Sequence, residues 1–277
     1  MKTLYAADLD GTLLLPGAIL SDRSRSALFE LTSRGVLFTA ATARTPATVV
    51  NILRGTGANA PAALMNGVLM FDLEKKRILS AEVPDEATRE HILTCAQDHP
   101  VVSMIYTLSN GALKVFYRPD GSEVLRGFIE ARNKSPYKTW HDLENYAQVR
   151  DQQVIYICAI GSRNDLARLE LDIKKDTSLK TVLYREVNYE DLWVFEAFSS
   201  GASKAKTVAQ SAKLVGAERI VAFGDNYNDL PLFEGADVRV AVANAVPEVI
   251  AAADFVCKAN TEDGVVQWIA EDLGISL

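Results

Sequence analysis

Asp8 and Asp10 are the residues of this chain whose type and spacing are best suited to chemistry. They stand two positions apart after the short apolar run Leu4-Tyr5-Ala6-Ala7. Side chains along a strand repeat with a period of two, so both carboxylates leave that run on the same side. Gly11 then lets the backbone turn sharply. Two carboxylates directed into one small space repel each other unless a cation or a proton lies between them. The arrangement suits a hard divalent metal together with acid–base or nucleophilic work. Taken alone, the same Asp-x-Asp-Gly run is equally a strand end followed by a turn.

Three later segments add further groups of the same kind. They are Thr39-Ala40-Ala41-Thr42-Ala43-Arg44, Ser203-Lys204 and Phe223-Gly224-Asp225-Asn226-Tyr227-Asn228-Asp229. A carboxylate such as Asp8 can attack phosphorus and form an acyl phosphate. A fixed ammonium at Lys204 suits a site of that sort, because it stabilises charge that develops on a phosphoryl group in flight. At the first turn of a helix the dipole disfavours a lysine, so its position there calls for a local anion. Lys206, two residues on, is the competing candidate.

In this order, and with the first segment, these stretches resemble the four signature motifs of the haloacid dehalogenase-like phosphatases. The long insert between the second and third motifs resembles the Cof-type branch with its type IIB cap. The resemblance implies Asp8 as the nucleophile that carries an aspartyl-phosphate, with Asp10 as general acid for the leaving alcohol and base for the hydrolytic water. It implies a Mg²⁺ cofactor held by Asp8, the Asp10 backbone carbonyl and Asp225, with Asp229 supporting the metal or orienting the lysine. Thr42 is then the hydroxyl that binds the transferring phosphoryl group, Lys204 the third-motif lysine, and Asn228 the asparagine that contacts phosphate or metal-bound water. The family has Thr-Gly-Arg where this chain has Thr42-Ala43-Arg44, which puts close backbone approach at position 43 in question and leaves the hydroxyl intact. Asn66 and Gly67 look like a family feature of the site edge.

The elements that must position these groups are legible as alternating strands and helices. Lys2 to Leu9, Val36 to Ala41 and Ala62 to Met65 read as strands, the middle one almost wholly apolar, as a strand covered on both faces should be. Ser21 is placed to cap a helix that ends near Gly35, and Thr45-Pro46 to open another. Asn66-Gly67 marks a turn, and Val68 to Asp72 with Arg77 to Glu82 reads as a hairpin. Between about Pro84 and Asn188 the pattern changes to helix, strand-turn-strand, helix, strand, helix, strand. Leu192 to Phe198 then reads as a strand, Ser203 caps a helix to Val215, and Ile220 to Phe223 is an apolar strand ending at Gly224-Asp225. The fold expected is α/β, with a Rossmann-like parallel-sheet core formed by 1–83 and 189–277 and an inserted α+β cap at 84–188. Ligands of open α/β sheets bind beyond the carboxyl ends of the strands, which is where Asp8, Asp10, Thr42 and Asp225 fall.

The 277 residues, 48% hydrophobic and 23% charged, are those of an ordinary globular protein, and a net charge of −7 argues against nonspecific nucleic-acid or membrane binding. No stretch approaches the roughly 20 apolar residues of a membrane helix. Cys95, Cys158 and Cys257 fit no metal or redox spacing and are expected as small buried hydrophobes, which makes a reducing cytoplasm the simplest location. The function expected is a phosphoric monoester hydrolase, Mg²⁺-dependent, acting on a small phosphorylated metabolite, with a sugar phosphate implied by the resemblance. No nucleic-acid, membrane or obligate protein partner is implied. A sugar phosphomutase shares the core motifs. A phosphorylation-driven receiver domain is about half this length and lacks the insert, and a non-catalytic metabolite-binding protein needs no nucleophile and acid together. Arg118, Lys134, Tyr137, Lys138, Trp140 and Arg185 in the insert are candidates to meet a substrate, with nothing in the sequence to choose among them.

Overall fold

The computed structural model describes residues 1–132, 135–186 and 191–276, and divides into two compact units. One comprises Met1–Ser80 with Ser203–Leu277, the other Ala81–Ala202.

The first unit is built on a five-stranded sheet, ordered Phe255–Cys257, Val238–Val242, Arg219–Gly224, Thr3–Ala7 and Leu37–Ala40. Every pairing in it is parallel. The first strand of the chain is therefore central, between Leu37–Ala40 and a strand more than 200 residues later. Thr3–Ala7 and Leu37–Ala40 are buried almost throughout, the pattern of strands sandwiched between helices. Their register is what matters for the site: Ala7 stands opposite both Phe223 and Ala40. The residues that follow, Asp8, Ala41-Thr42 and Gly224-Asp225, thus emerge together at one edge. The Asp8 N–H donates to the Phe223 carbonyl (3.0 Å), the Ala41 N–H to Ala7 (2.9 Å) and the Thr42 N–H to Ala63 (2.8 Å), which continues the ladder past the strand ends. A three-stranded sheet of Ala62–Leu64, Leu69–Asp72 and Arg77–Ala81 completes this half of the chain, with the expected hairpin present.

Local chemistry accounts for the helix starts. Ser21 accepts the Ser24 N–H at 2.9 Å and opens Asp22–Ser33. Ser203 caps Lys204–Val215, which Gly216 ends in the left-handed region at φ 68°; glycine adopts that conformation without a Cβ penalty.

The second unit carries a six-stranded sheet in the order Leu179–Arg185, Trp193–Ser199, Gln153–Gly161, Val102–Ser109, Ala112–Tyr117, Lys138–Asp142. Its pairings are antiparallel apart from the last, which is parallel. Glu86–Asp98 and Arg163–Ile173 cover one face, where Ile92, Leu166 and Leu169 pack with Ile105, Ile157 and Phe195. By alternation, the opposite face carries Tyr106, Tyr156, Cys158 and Glu196.

Two expectations from sequence are corrected here. The core was expected to resume at 189, a boundary near Asn188 that lies outside the described residues. Trp193–Ser199 is not a core strand: it pairs antiparallel with Leu179–Arg185 and Gln153–Gly161, and the inserted unit runs on to Ala202. An apolar run such as Trp193-Val194-Phe195 fits either sheet, so composition does not decide which one it joins. Lys138–Asp142, a further strand, went unread because Lys-Thr-Trp-His-Asp has no apolar run. All three cysteines are buried and unpaired, as expected. Among the described residues no helix is long and apolar enough to cross a membrane.

Candidate active site

Lys204 is the centre of the site. Its Nζ donates to Asp8 Oδ1 at 2.8 Å and to Asp229 Oδ1 at 2.7 Å, and all three side chains are almost wholly buried. The local anion that the sequence position of this lysine called for is thus supplied twice. Ser203 places it by capping the helix, and Lys206 instead lies on the exposed side of that first turn.

Asp229 is held by both ends. Its second oxygen accepts the N–H groups of Asp225 (3.0 Å) and Asn226 (3.2 Å), so the turn after Arg219–Gly224 closes on its own carboxylate. Asp225 in turn accepts the Thr12 hydroxyl at 2.7 Å. Gly11, at φ 79°, passes so close to the Asp225 carboxylate that a Cβ there would overlap it. Asn244, absent from the sequence expectations, donates to the Gly11 carbonyl at 2.8 Å and holds this loop from the far side.

Burial pushes the Asp8 carboxyl up to about 8; Lys204 opposes that shift, and Asp229 and Asp225 add to it. Burial likewise raises Asp225 to about 6, with the Thr12 hydrogen bond opposing and Asp229 adding. Burial works to lower Lys204, but Asp8 and Asp229 outweigh it and the net shift is upward. Once all three carboxyls are ionised, a single ammonium leaves the cluster short of positive charge.

That shortage tests the expected metal. Asp8, Asp225 and Asp229 offer oxygens that all lie within 4.8 Å of one another. Asp229 is engaged through both of its oxygens, whereas Asp8 and Asp225 each engage only one in a hydrogen bond among the described residues. A hard, all-oxygen donor set with an uncompensated negative charge fits Mg²⁺. Asp229 fits better as the group that orients Lys204 than as a direct ligand.

Asp10 lies outside this cluster. Both of its oxygens are bound by the Arg44 fork, Oδ2 by Nε and Oδ1 by Nη2, each at 2.6 Å. The sequence motif contained Arg44 but gave it no role. Thr42 is buried, and its Oγ1 accepts the Arg44 N–H at 3.3 Å, leaving its own proton to donate elsewhere. Asn66 donates its N–H to the Thr42 carbonyl at 3.0 Å, and Gly67 at φ 87° abuts the Ser203 backbone. These two turn residues therefore join the second-motif loop to the start of the lysine helix. Asn228 is exposed and hydrogen-bonds none of the clustered residues; the asparagine that shapes this turn is Asn226, which accepts the Tyr227 N–H at 2.8 Å. Of the residues expected at the site, the structure brings together Asp8, Lys204, Asp225 and Asp229. It places Thr42 on an adjacent strand end, Asp10 in a pair with Arg44, and Asn228 apart.

The chain as a whole has relatives. The model of the haloacid dehalogenase-like hydrolases matches residues 5–269, and the chain belongs to that family. It is 28% identical over 275 residues to the pyridoxal phosphate phosphatase YbhA of Escherichia coli, covering 98% of each chain. It is 26% identical over 280 residues to the 5-amino-6-(5-phospho-D-ribitylamino)uracil phosphatase YwtE of Bacillus subtilis, covering 95% of this chain and 96% of that one. In fold it resembles a haloacid dehalogenase-like hydrolase from Bacteroides thetaiotaomicron, with a TM-score of 0.79 at 24% identity over 98% of this chain and all of the other. It also resembles a subclass IIB sugar phosphatase, with a TM-score of 0.73 at 18% identity over the full length of both.

Proposed function

We propose that this chain is a Mg²⁺-dependent phosphatase that hydrolyses a small phosphorylated metabolite through an aspartyl-phosphate on Asp8. The observation that carries the reading is the buried Lys204 ammonium bound at once to Asp8 and Asp229, with Asp225 alongside. The named relatives act on phosphate monoesters of small organic molecules, and a sugar phosphate is the class to try first. Three buried, unpaired cysteines suit a reducing compartment such as the cytoplasm.

Lys204 fixes one oxygen of Asp8, which leaves the other to attack phosphorus. The Asp8–phosphorus bond forms as the bond to the ester oxygen breaks, and Asp10 delivers its proton to that oxygen. Asp10, now ionised, takes a proton from water, whose oxygen attacks the phosphorus and releases Asp8 and inorganic phosphate. The Thr42 hydroxyl donates to a phosphoryl oxygen during both transfers. Asp8, Asp225 and the Asp10 carbonyl would hold Mg²⁺, which when bound would supply neutralising charge for the phosphate. The Arg44 fork occupies both Asp10 oxygens between turnovers, so Asp10 has to free one of them and take up a proton before it acts as the acid.

Phosphate release from p-nitrophenyl phosphate and a panel of sugar phosphates, with Mg²⁺ or with EDTA, tests this reading. Activity is expected with Mg²⁺ alone, and Asp8→Asn is expected to lose at least about a thousandfold in kcat. Full activity in Asp8→Asn excludes the aspartyl-phosphate route.

A further inference from the structure

The inserted unit buries a lysine that meets no anion among the described residues. Lys138 is 4% exposed, on the strand Lys138–Asp142, opposite Leu113 of Ala112–Tyr117. Its Nζ lies 4.7 Å from the centre of the Trp140 ring and 5.9 Å from that of Tyr106. It makes no hydrogen bond or ion pair among the described residues. Burial pulls its ammonium down to about 8, the Arg132 guanidinium adds to that shift, and Cys158 opposes it.

The neighbouring charges are already committed. Arg132 pairs with Glu186 at 2.7 Å and stands over the Phe128 ring. Glu196 accepts the hydroxyls of Tyr156 (2.7 Å) and Tyr184 (3.2 Å). A second observation points the same way: the indole Nε1 of Trp140, two residues from Lys138 on the same strand face, is buried with no acceptor. Buried ammonium and indole N–H groups are normally satisfied, and leaving them unmatched costs stability. Cation–π contact recovers part of that cost for Lys138 and none of it for the indole N–H. Among the described residues, neither donor meets a negatively charged acceptor, since Glu196 on this face is taken up by Tyr156 and Tyr184.

We propose that Lys138 and Trp140 form an oxyanion-recognition site in the inserted unit, which takes a carboxylate or phosphate oxygen of a small metabolite. The ammonium supplies the charge and the indole N–H a second, directional donor. The oxyanion belongs to a small metabolite bound within the inserted unit, so the proposal does not rest on the phosphatase reading above.

The test uses the full chain with Lys138→Met, which keeps the volume and removes the charge, and Trp140→Phe, which keeps a ring and removes the N–H. Melting temperatures are measured without Mg²⁺, in the absence and presence of citrate. Citrate is expected to raise the melting temperature of the wild type, to raise that of Trp140→Phe less, and to leave that of Lys138→Met unchanged. Without ligand, Lys138→Met melts no lower than wild type, because it removes an unmatched buried charge. The proposal is overturned if citrate shifts wild type and Lys138→Met alike or shifts neither.

Discussion

Asp8 gains its properties from what surrounds it. In the metal-free protein burial holds its carboxyl up to about 8, so near neutral pH much of it carries a proton that a metal must displace. Affinity for Mg²⁺ is therefore expected to rise with pH, by roughly tenfold between pH 6.5 and 7.5, with proton release on binding. Calorimetric titration in two buffers of different ionisation enthalpy reads both quantities, and a pH-independent affinity without proton release contradicts the role given to Asp8. Asp10 leads to a different expectation. Its pair with Arg44 is partly exposed, with 54% of the Asp10 side chain accessible, so it adds little to stability. Its value lies in aiming the proposed acid. Arg44→Ala is expected to leave the melting temperature nearly unchanged and to slow alkyl phosphates by at least about tenfold. It is expected to affect p-nitrophenyl phosphate much less, because p-nitrophenolate departs without a proton. An equal loss on both substrates would place Arg44 on the phosphate itself. The two aspartates were legible because a period of two is visible in any sequence. The Arg44–Asp10 pair was not, since side-chain pairing across two loops leaves no spacing to read.

The strands and helices that carry these residues were largely legible, for a physical reason. Parallel strands covered on both faces must be apolar throughout, as in Thr3–Ala7, and helices announce themselves through caps such as Ser21 and Ser203. Loop-to-helix contact was harder to anticipate. Gly67 sits at φ 87°, a Cβ on it would collide with the Ser203 backbone, and its carbonyl accepts the Thr207 hydroxyl at 2.9 Å. The Asn66-Gly67 signal gave the turn but not the helix against which the turn packs. Gly67→Ala forces either that turn or the first residues of the Lys204 helix to move. A loss of about 2 kcal/mol in stability is expected, measured by denaturant unfolding, together with a fall in kcat larger than the change in KM, because the displaced residue is Lys204. Wild-type kinetics in a folded Gly67→Ala protein would show that Lys204 tolerates the shift. Trp193–Ser199 illustrates the complementary limit: the existence of a strand is a local property, and the sheet it joins is not.

At the level of the whole molecule, the inserted unit is one continuous stretch, Ala81–Ala202, whereas the unit holding the site is made from the two flanking pieces. The sequence showed that an insertion exists because the strand–helix alternation stops and resumes, but it placed the return too early. Separation along the chain also explains why no single motif describes the site: Asp8 and Lys204 touch across 196 positions. That division imposes an order of events at the ribosome. Thr3–Ala7 is made before one of its two neighbours, Arg219–Gly224, and the whole insert is made between them. Until Arg219–Gly224 appears, Thr3–Ala7 waits with an open sheet edge, while the insert already has its full complement of strands. Synthesis thus leaves Thr3–Ala7 open to wrong pairing while the insert is made, and the cluster of Asp8, Lys204 and Asp229 can close only after the insert has been delivered.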